Sequence, residues 1–205
     1  MPRVDVAALR ALSAEIVDCR ACPRLVEWRE QVAREKRASF RDETYWGRPA
    51  PGFGDPHARV LVAGLAPAAH GANRTGRVFT GDRSGDFLFA SLFRSGFANQ
   101  PTSTAVDDGL ELRDAYVAAA VRCAPPANQP TPEERDRCLP YLVRELELLA
   151  AVKVIVVLGG FAYDAVARLL AAAGSPLPVP RPKFGHGVEV VTDRAVVLCC
   201  YHPSQ

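Results

Sequence analysis

The chain has 205 residues, 48% of them hydrophobic and 23% charged, with a formal net charge of +2. That length suits a single α/β domain and excludes two domains of ordinary size, while the near-neutral charge leaves any nucleic-acid face to local arrangement rather than bulk basicity. No apolar run reaches the about 18 residues a membrane helix needs, and the first thirty residues alternate apolar and charged positions without a signal-peptide core, so the expected setting is the reducing cytoplasm, away from membranes, where six cysteines point to metal or catalysis before disulfides.

Val6 to Asp18 predicts an amphipathic helix, with Val6, Leu9, Ile16 and Val17 on or near one face. The loop Cys19-Arg20-Ala21-Cys22-Pro23 follows, and Arg24 to Lys36, rich in both charge signs, is a candidate second helix. Arg41 to Pro56 carries Gly and Pro at short intervals and reads as an irregular loop. RVLVAGL, Arg59 to Leu65, is a short apolar run of the kind that forms a strand buried on both faces. A polar, Gly-rich loop covers Ala66 to Ser84, and Phe87 to Phe97 is predicted helical. Ala115 to Val121 is the second strand. Thr131-Pro132-Glu133-Glu134 combines a cap residue, proline at the first helical position and acids in the first turn, so it opens a helix that runs to about Leu149. Lys153 to Leu158 is the third strand, with a helix after Gly159-Gly160 running to Ala172. A Pro-rich loop spans Ser175 to Pro182. Val188 to Val191 fits an edge strand or hairpin arm, and Val196 to Cys200 is the last strand.

Strands alternating with helices predict an α/β fold, a three-layer sandwich around a central, mostly parallel four-stranded sheet, as one domain over residues 1–205. Ligands of such sheets bind outside the carboxyl ends of the strands. Three loops leave those ends: Ala66–Ser84, Arg122–Pro130 and His202 onward. The unusual residues collect in these three places.

Four cysteines stand in loops or at element ends. Cys19 and Cys22 form a C-x-x-C pair, and Cys123 and Cys138 lie farther along the chain. Cys199 and Cys200, inside an apolar strand, read as small buried hydrophobes. Zinc favours two C-x-x-C knuckles and finds only one. A redox C-x-x-C opens a helix after a strand, whereas a helix precedes this one. A cubane cluster takes four thiolates without paired knuckles. Spacing alone leaves cluster, zinc and unligated thiols all open.

Gly64 to Gly85 reads GLAPAAHGANRTGRVFTGDRSG. Its backbone amides and hydroxyls suit phosphate contacts, and the absence of G-K-[ST] rules out a nucleoside-triphosphate loop. GLAPAAHG, the following GRVFTGD, the stretch RCAPPANQPTPEE and the final YHPSQ, in this order, resemble the family 5 uracil-DNA glycosylases, and the likeness covers Cys19 to Gln205. Ala68 stands where that family commonly has Gly. The resemblance implies an enzyme that extrudes uracil, and often hypoxanthine or xanthine, from double-stranded DNA into a pocket and cuts its glycosidic bond. It implies a [4Fe–4S] cluster on Cys19, Cys22, Cys123 and Cys138. It further implies a monomer acting on the nucleoid of a bacterial or archaeal cell. Carried over by motif, Phe79 stacks on the flipped base, His202 hydrogen-bonds a base carbonyl, Asn128 lies near the base, and Asn73, in the same loop as His70, holds the attacking water. Ala66 stands where better-known relatives carry a water-activating Asp, and Ala119 where family 4 carries a base-reading Asn. With no general base in view, a dissociative path is expected. Relatives continue past His-Pro-Ser with a DNA-probing loop.

Overall fold

The structure is a computed structural model that describes residues 5–204. The helices are α1 (Val6–Val17), α2 (Pro23–Glu35), α3 (Ala72–Thr75), α4 (Arg83–Arg94), α5 (Pro132–Leu148) and α6 (Gly160–Ala172). The strands are β1 (Phe53–Gly54), β2 (Val60–Gly64), β3 (Ala115–Ala119), β4 (Val154–Leu158), β5 (Glu189–Val191) and β6 (Val196–Cys200).

The strands form one sheet in the order β1-β3-β2-β4-β6-β5. The four expected strands pair in parallel as β3-β2-β4-β6. Two short antiparallel strands extend the edges, β1 on β3 and β5 on β6, so the sheet has six strands rather than four. β5 answers the expected edge strand. β1 lies inside the stretch expected to be loop. Two residues cannot display a period in sequence, and the pairing exists because β3 offers an open backbone edge. A Cβ on Gly54 would sit 2.4 Å from the Ala115 carbonyl oxygen, so only glycine lets the chain approach that edge.

Side-chain alternation divides the sheet between two cores. Leu61 and Ala63 of β2, with Tyr116 and Ala118 of β3, pack with Leu9 of α1, Leu142 and Leu146 of α5, and Val166 and Leu169 of α6. Val62, Val117 and Ala119 point the other way, toward Ala72 of α3 and Leu88, Phe89 and Leu92 of α4. This burial of both faces is why the parallel strands read as uninterrupted apolar runs. On α1 the buried residues are Leu9, Leu12 and Ile16, so the face includes Leu12 and leaves out Val17.

Two caps decide where the site-bearing loops stop. Thr131 and Glu134 form the expected capping box at the start of α5, and the Glu134 carboxylate also accepts from both Nε (2.8 Å) and Nη2 (2.7 Å) of Arg24 on α2. The helix expected from Phe87 begins earlier, at Arg83, because the Asp82 carboxylate accepts from the Gly85 amide at 3.0 Å. An N-cap of this kind satisfies an otherwise orphaned donor of the first turn.

Arg122, 1% exposed, lies under the β3 exit and forms a two-pronged ion pair with fully buried Glu145 of α5. The Tyr116 hydroxyl, beside that carboxylate, has its ionisation pushed far up by burial and by the Glu145 charge.

Candidate active site and cysteine centre

The carboxyl ends of β2, β3, β4 and β6 share one edge, and pairing continues past the strands there: Ala120 N–H donates to the Gly64 carbonyl (2.9 Å) and Gly159 N–H to the Cys200 carbonyl (2.8 Å). A cleft of about 350 Å³ opens at this edge. All three loops singled out from the sequence reach it, through Ala66 and Phe79, through Asn128, and through His202. The fourth exit, from β4 into α6, also lines it with Gly159 and Gly160. Two glycines carry no chemistry of their own, so nothing in the sequence marks that exit.

Phe79 is held in a left-handed backbone conformation, φ 53°, which is uncommon for an aromatic residue and marks a position fixed by its surroundings. Two glycines hold it. A Cβ on Gly64 would come within 2.5 Å of the ring, and one on Gly85 within 1.8 Å of the Phe79 carbonyl oxygen. The ring packs on the core cluster that contains Ala119 and Val78 and turns its remaining surface to the cleft. The His202 imidazole lies 6.2 Å from it, centroid to centroid, tilted by 31°.

Burial holds the His202 imidazole below the ordinary histidine range, with Asp82 pulling weakly the other way. The ring is therefore neutral near pH 7. Its Nδ1 meets the Ser204 hydroxyl at 2.8 Å and the Ser204 backbone N–H at 3.3 Å. A backbone N–H can only donate, so Nδ1 is assigned as the acceptor and the proton sits on Nε2.

Asp82 is the residue that sequence reasoning missed. It lines the cleft, and its second carboxylate oxygen occupies space that a Cβ on Gly71 would invade at 2.2 Å. The available signal was T-G-D-R-S-G, an N-cap Asp three residues before Gly85. A helix expected to start only at Phe87 leaves this cap outside the element, in what reads as loop. Asn128 lines the rim beside Ala127, and both have positive φ, 56° and 53°.

Three expected site residues lie elsewhere. Asn73 is 1% exposed, and its amide donates to the Arg29 carbonyl at 3.1 Å, tying α3 to α2. It does not line the cleft, and its Oδ1 is buried without a partner among the described residues. His70 bonds the Tyr45 hydroxyl through Nδ1 at 3.0 Å and borders a shallower groove next door with Arg37 and Arg83. Burial and the neighbouring Arg37 and Arg74 charges hold its imidazole below the ordinary range. Ala119, 2% exposed, lies in the core cluster beneath Phe79. Ala66 does line the cleft.

Cys19, Cys22, Cys123 and Cys138 all line a second, narrow pocket, where the end of α1 and the start of α2 meet the β3 exit and α5. All four are free thiols. Burial pushes Cys138 up to about 12 and Cys123 up to about 11, and raises Cys22 as well. Donors nonetheless point at the sulfurs. Arg29 Nη1 reaches Cys123 Sγ at 3.0 Å, and the Arg122 N–H reaches Cys138 Sγ at 3.3 Å. Among the described residues no three His, Cys, Asp or Glu side chains converge tightly enough for a single metal ion. Four sulfurs spread around one pocket, two of them with N–H donors aimed at them, suit an anionic multi-atom group better than one zinc ion.

Residues 51–205 match the family model of the uracil DNA glycosylase superfamily. The chain is 55% identical over 196 residues to the Type-5 uracil-DNA glycosylase of Mycobacterium tuberculosis, covering 95% of this chain and 72% of that protein. It is 50% identical over 188 residues to the Type-5 uracil-DNA glycosylase of Thermus thermophilus, covering 91% and 83%. Against the Type-4 uracil-DNA glycosylase of Archaeoglobus fulgidus the identity is 31% over 155 residues, covering 75% and 69%. With the parallel sheet, the cleft at its carboxyl edge and these matches together, the chain belongs to the uracil DNA glycosylase superfamily, within its Type-5 family.

Proposed function

We propose that this protein hydrolyses the N-glycosidic bond of uracil in double-stranded DNA, leaves an abasic site, and accepts hypoxanthine and xanthine as well. The observation that carries this reading is the cleft in which Phe79, neutral His202 and the Asp82 carboxylate meet beside the apolar stretch Leu65–Ala68. A base inside a stacked duplex is out of reach, so it must rotate out into such a cleft. The reading takes the protein to act as a monomer. Among the described residues no helix is long and apolar enough to cross a membrane. The reading sets the protein to work in the cytoplasm, on the nucleoid.

The open surface of the Phe79 ring receives the flipped base by stacking, which accepts any flat heterocycle. The Nε2–H of His202 donates to a base carbonyl, where negative charge grows as the glycosidic bond breaks. Such a donor is worth most in a water-poor site. Asp82 faces the cationic sugar and takes the proton of the water that adds to it. Asn128 presents an amide at the rim to the extruded nucleotide. Ala66 and Ala68 leave that wall without polar groups to select one base edge, which supports a broad substrate range.

Cys19, Cys22, Cys123 and Cys138 would hold a [4Fe–4S] cluster, and this group supplies a cross-link tying α1 and α2 to β3 and α5. Single-turnover cleavage of duplexes containing uracil, hypoxanthine, xanthine or thymine tests the activity. Cleavage of the first three and not of thymine is expected. A protein that binds the uracil duplex and cuts none of them overturns the reading. Metal analysis of anaerobically prepared protein tests the cluster, and zinc without iron overturns it.

A further inference from the structure

Arg29 is one of the largest fully buried side chains in the protein, 2% exposed. The other buried arginine in that class, Arg122, has a buried carboxylate partner in Glu145. Arg29 has none among the described residues. The nearest acid along its helix, Glu30, turns outward and pairs with Arg20 at 2.5 Å. A buried guanidinium without an opposing charge is strongly disfavoured, so its counter-charge has to be sought in what it touches. Its Nη1 donates to Cys123 Sγ at 3.0 Å and its Nη2 to the Cys19 carbonyl at 3.2 Å, while Nε has no partner.

We propose that Arg29 is the counter-ion of the four-cysteine centre and a positioning residue that joins this centre to the wall of the cleft. The inference rests on the cluster reading above. Protonated Cys123 brings no charge to offset the guanidinium. Thiolates holding an iron–sulfur group do, and the guanidinium in turn stabilises them. The connection to the cleft runs through the backbone of the same residue. The Arg29 carbonyl accepts from the Asn73 amide at 3.1 Å, and the Asn73 N–H donates to the Ala68 carbonyl at 3.1 Å. Ala68 lines the cleft. One residue thus faces the cysteine sulfur with its side chain and braces the substrate loop with its main chain, while touching neither substrate nor reacting atoms.

The test uses Arg29→Gln, which keeps a donor and removes the charge, and Arg29→Lys, which keeps the charge and loses the two-pronged fork. Both are prepared anaerobically beside the parent. Readouts are iron per chain, the half-time for iron loss to a chelator, and the midpoint potential of the iron–sulfur absorption. Removing a charge next to a thiolate favours the less negative, oxidised state, so Arg29→Gln shifts the potential downward. Partners of this kind change metal affinity by about 10–100-fold, so the chelator half-time shortens by about 10-fold in Arg29→Gln and by less in Arg29→Lys. Parental half-time and potential in Arg29→Gln overturn the proposal. Should Arg29→Gln fail to fold, Arg29→Lys decides: it keeps the charge, so its midpoint potential stays at the parental value, and a chelator half-time shortened by about 10-fold or more in it overturns the proposal. A parent protein without iron refutes the cluster reading itself, which is a separate result.

Discussion

The Phe79 ring and the His202 imidazole lie 6.2 Å apart, centroid to centroid, with their planes tilted by 31°. Direct aromatic pairs have centroids about 4.5–7 Å apart, so no flat base fits between these two rings. The function proposed above therefore has a base stacked on Phe79 meet His202 at its edge, where Nε2 carries the proton. In that proposed function, the two residues divide the work: one supplies a face, the other a directional donor.

That division predicts what removing His202 does. One lost donor to a developing anion typically costs about 10²–10³ in rate, roughly 3–4 kcal/mol. His202→Ala should slow single-turnover cleavage of a uracil duplex by that order, with the dissociation constant for uncleaved DNA nearly unchanged. Cleavage at the parental rate refutes the assignment of His202.

Asp82 caps α4 and is proposed to take the proton of the attacking water, and one substitution separates the two. Asparagine caps helices about as well as aspartate, so Asp82→Asn should keep α4 and its melting temperature. It removes the carboxylate from the cleft, and single-turnover cleavage should fall by about 10²-fold, in the range of lost proton-transfer groups. A parental rate in a stably folded variant shows that the reaction does not use this carboxylate.

Gly85 is required by the Phe79 backbone, since an added Cβ would lie 1.8 Å from a carbonyl oxygen that cannot rotate away. Gly85→Ala should destabilise the protein by about 1–3 kcal/mol, the usual cost of forcing extra volume into a packed site. It should also displace the stacking ring. Urea denaturation checks the first effect, and the affinity for uracil-containing DNA checks the second. An unchanged denaturation midpoint contradicts the prediction.

Acid should loosen the loop that carries Phe79. Burial tends to raise the Asp108 carboxyl, but the Arg77 guanidinium and the amides of Thr104, Leu110 and Ala105 outweigh it and hold it at about 2, against 3.8 ordinarily. The unfolded chain then takes up this proton first as pH falls. The stabilisation is complete above about pH 4 and is lost as pH drops through about 2. It amounts to roughly 2 kcal/mol, because one pKa unit is worth about 1.4 kcal/mol. Asp108→Asn should be less stable at neutral pH and should lose less stability than the parent between pH 4 and 2. Parallel stability-versus-pH curves for the two proteins rule this out.

The sequence by itself determined the parallel core, because strands buried on both faces must be apolar throughout and RVLVAGL, AYVAAAV and KVIVVL are. It determined α5 and its first residue, since a capping box is a local bond between Thr131 and Glu134. It also determined which loops form the site, because connections leaving the carboxyl ends of parallel strands gather at one edge. Tertiary structure alone decided the rest. Strand β1 exists only because β3 has an open edge. Asp82 enters the cleft only because Gly71 leaves room for its carboxylate. Asn73 sits in the motif loop yet points away from the cleft, toward the Arg29 carbonyl. A motif fixes which residues share a loop. The direction each side chain takes is set by what packs against it, and those neighbours come from distant parts of the chain.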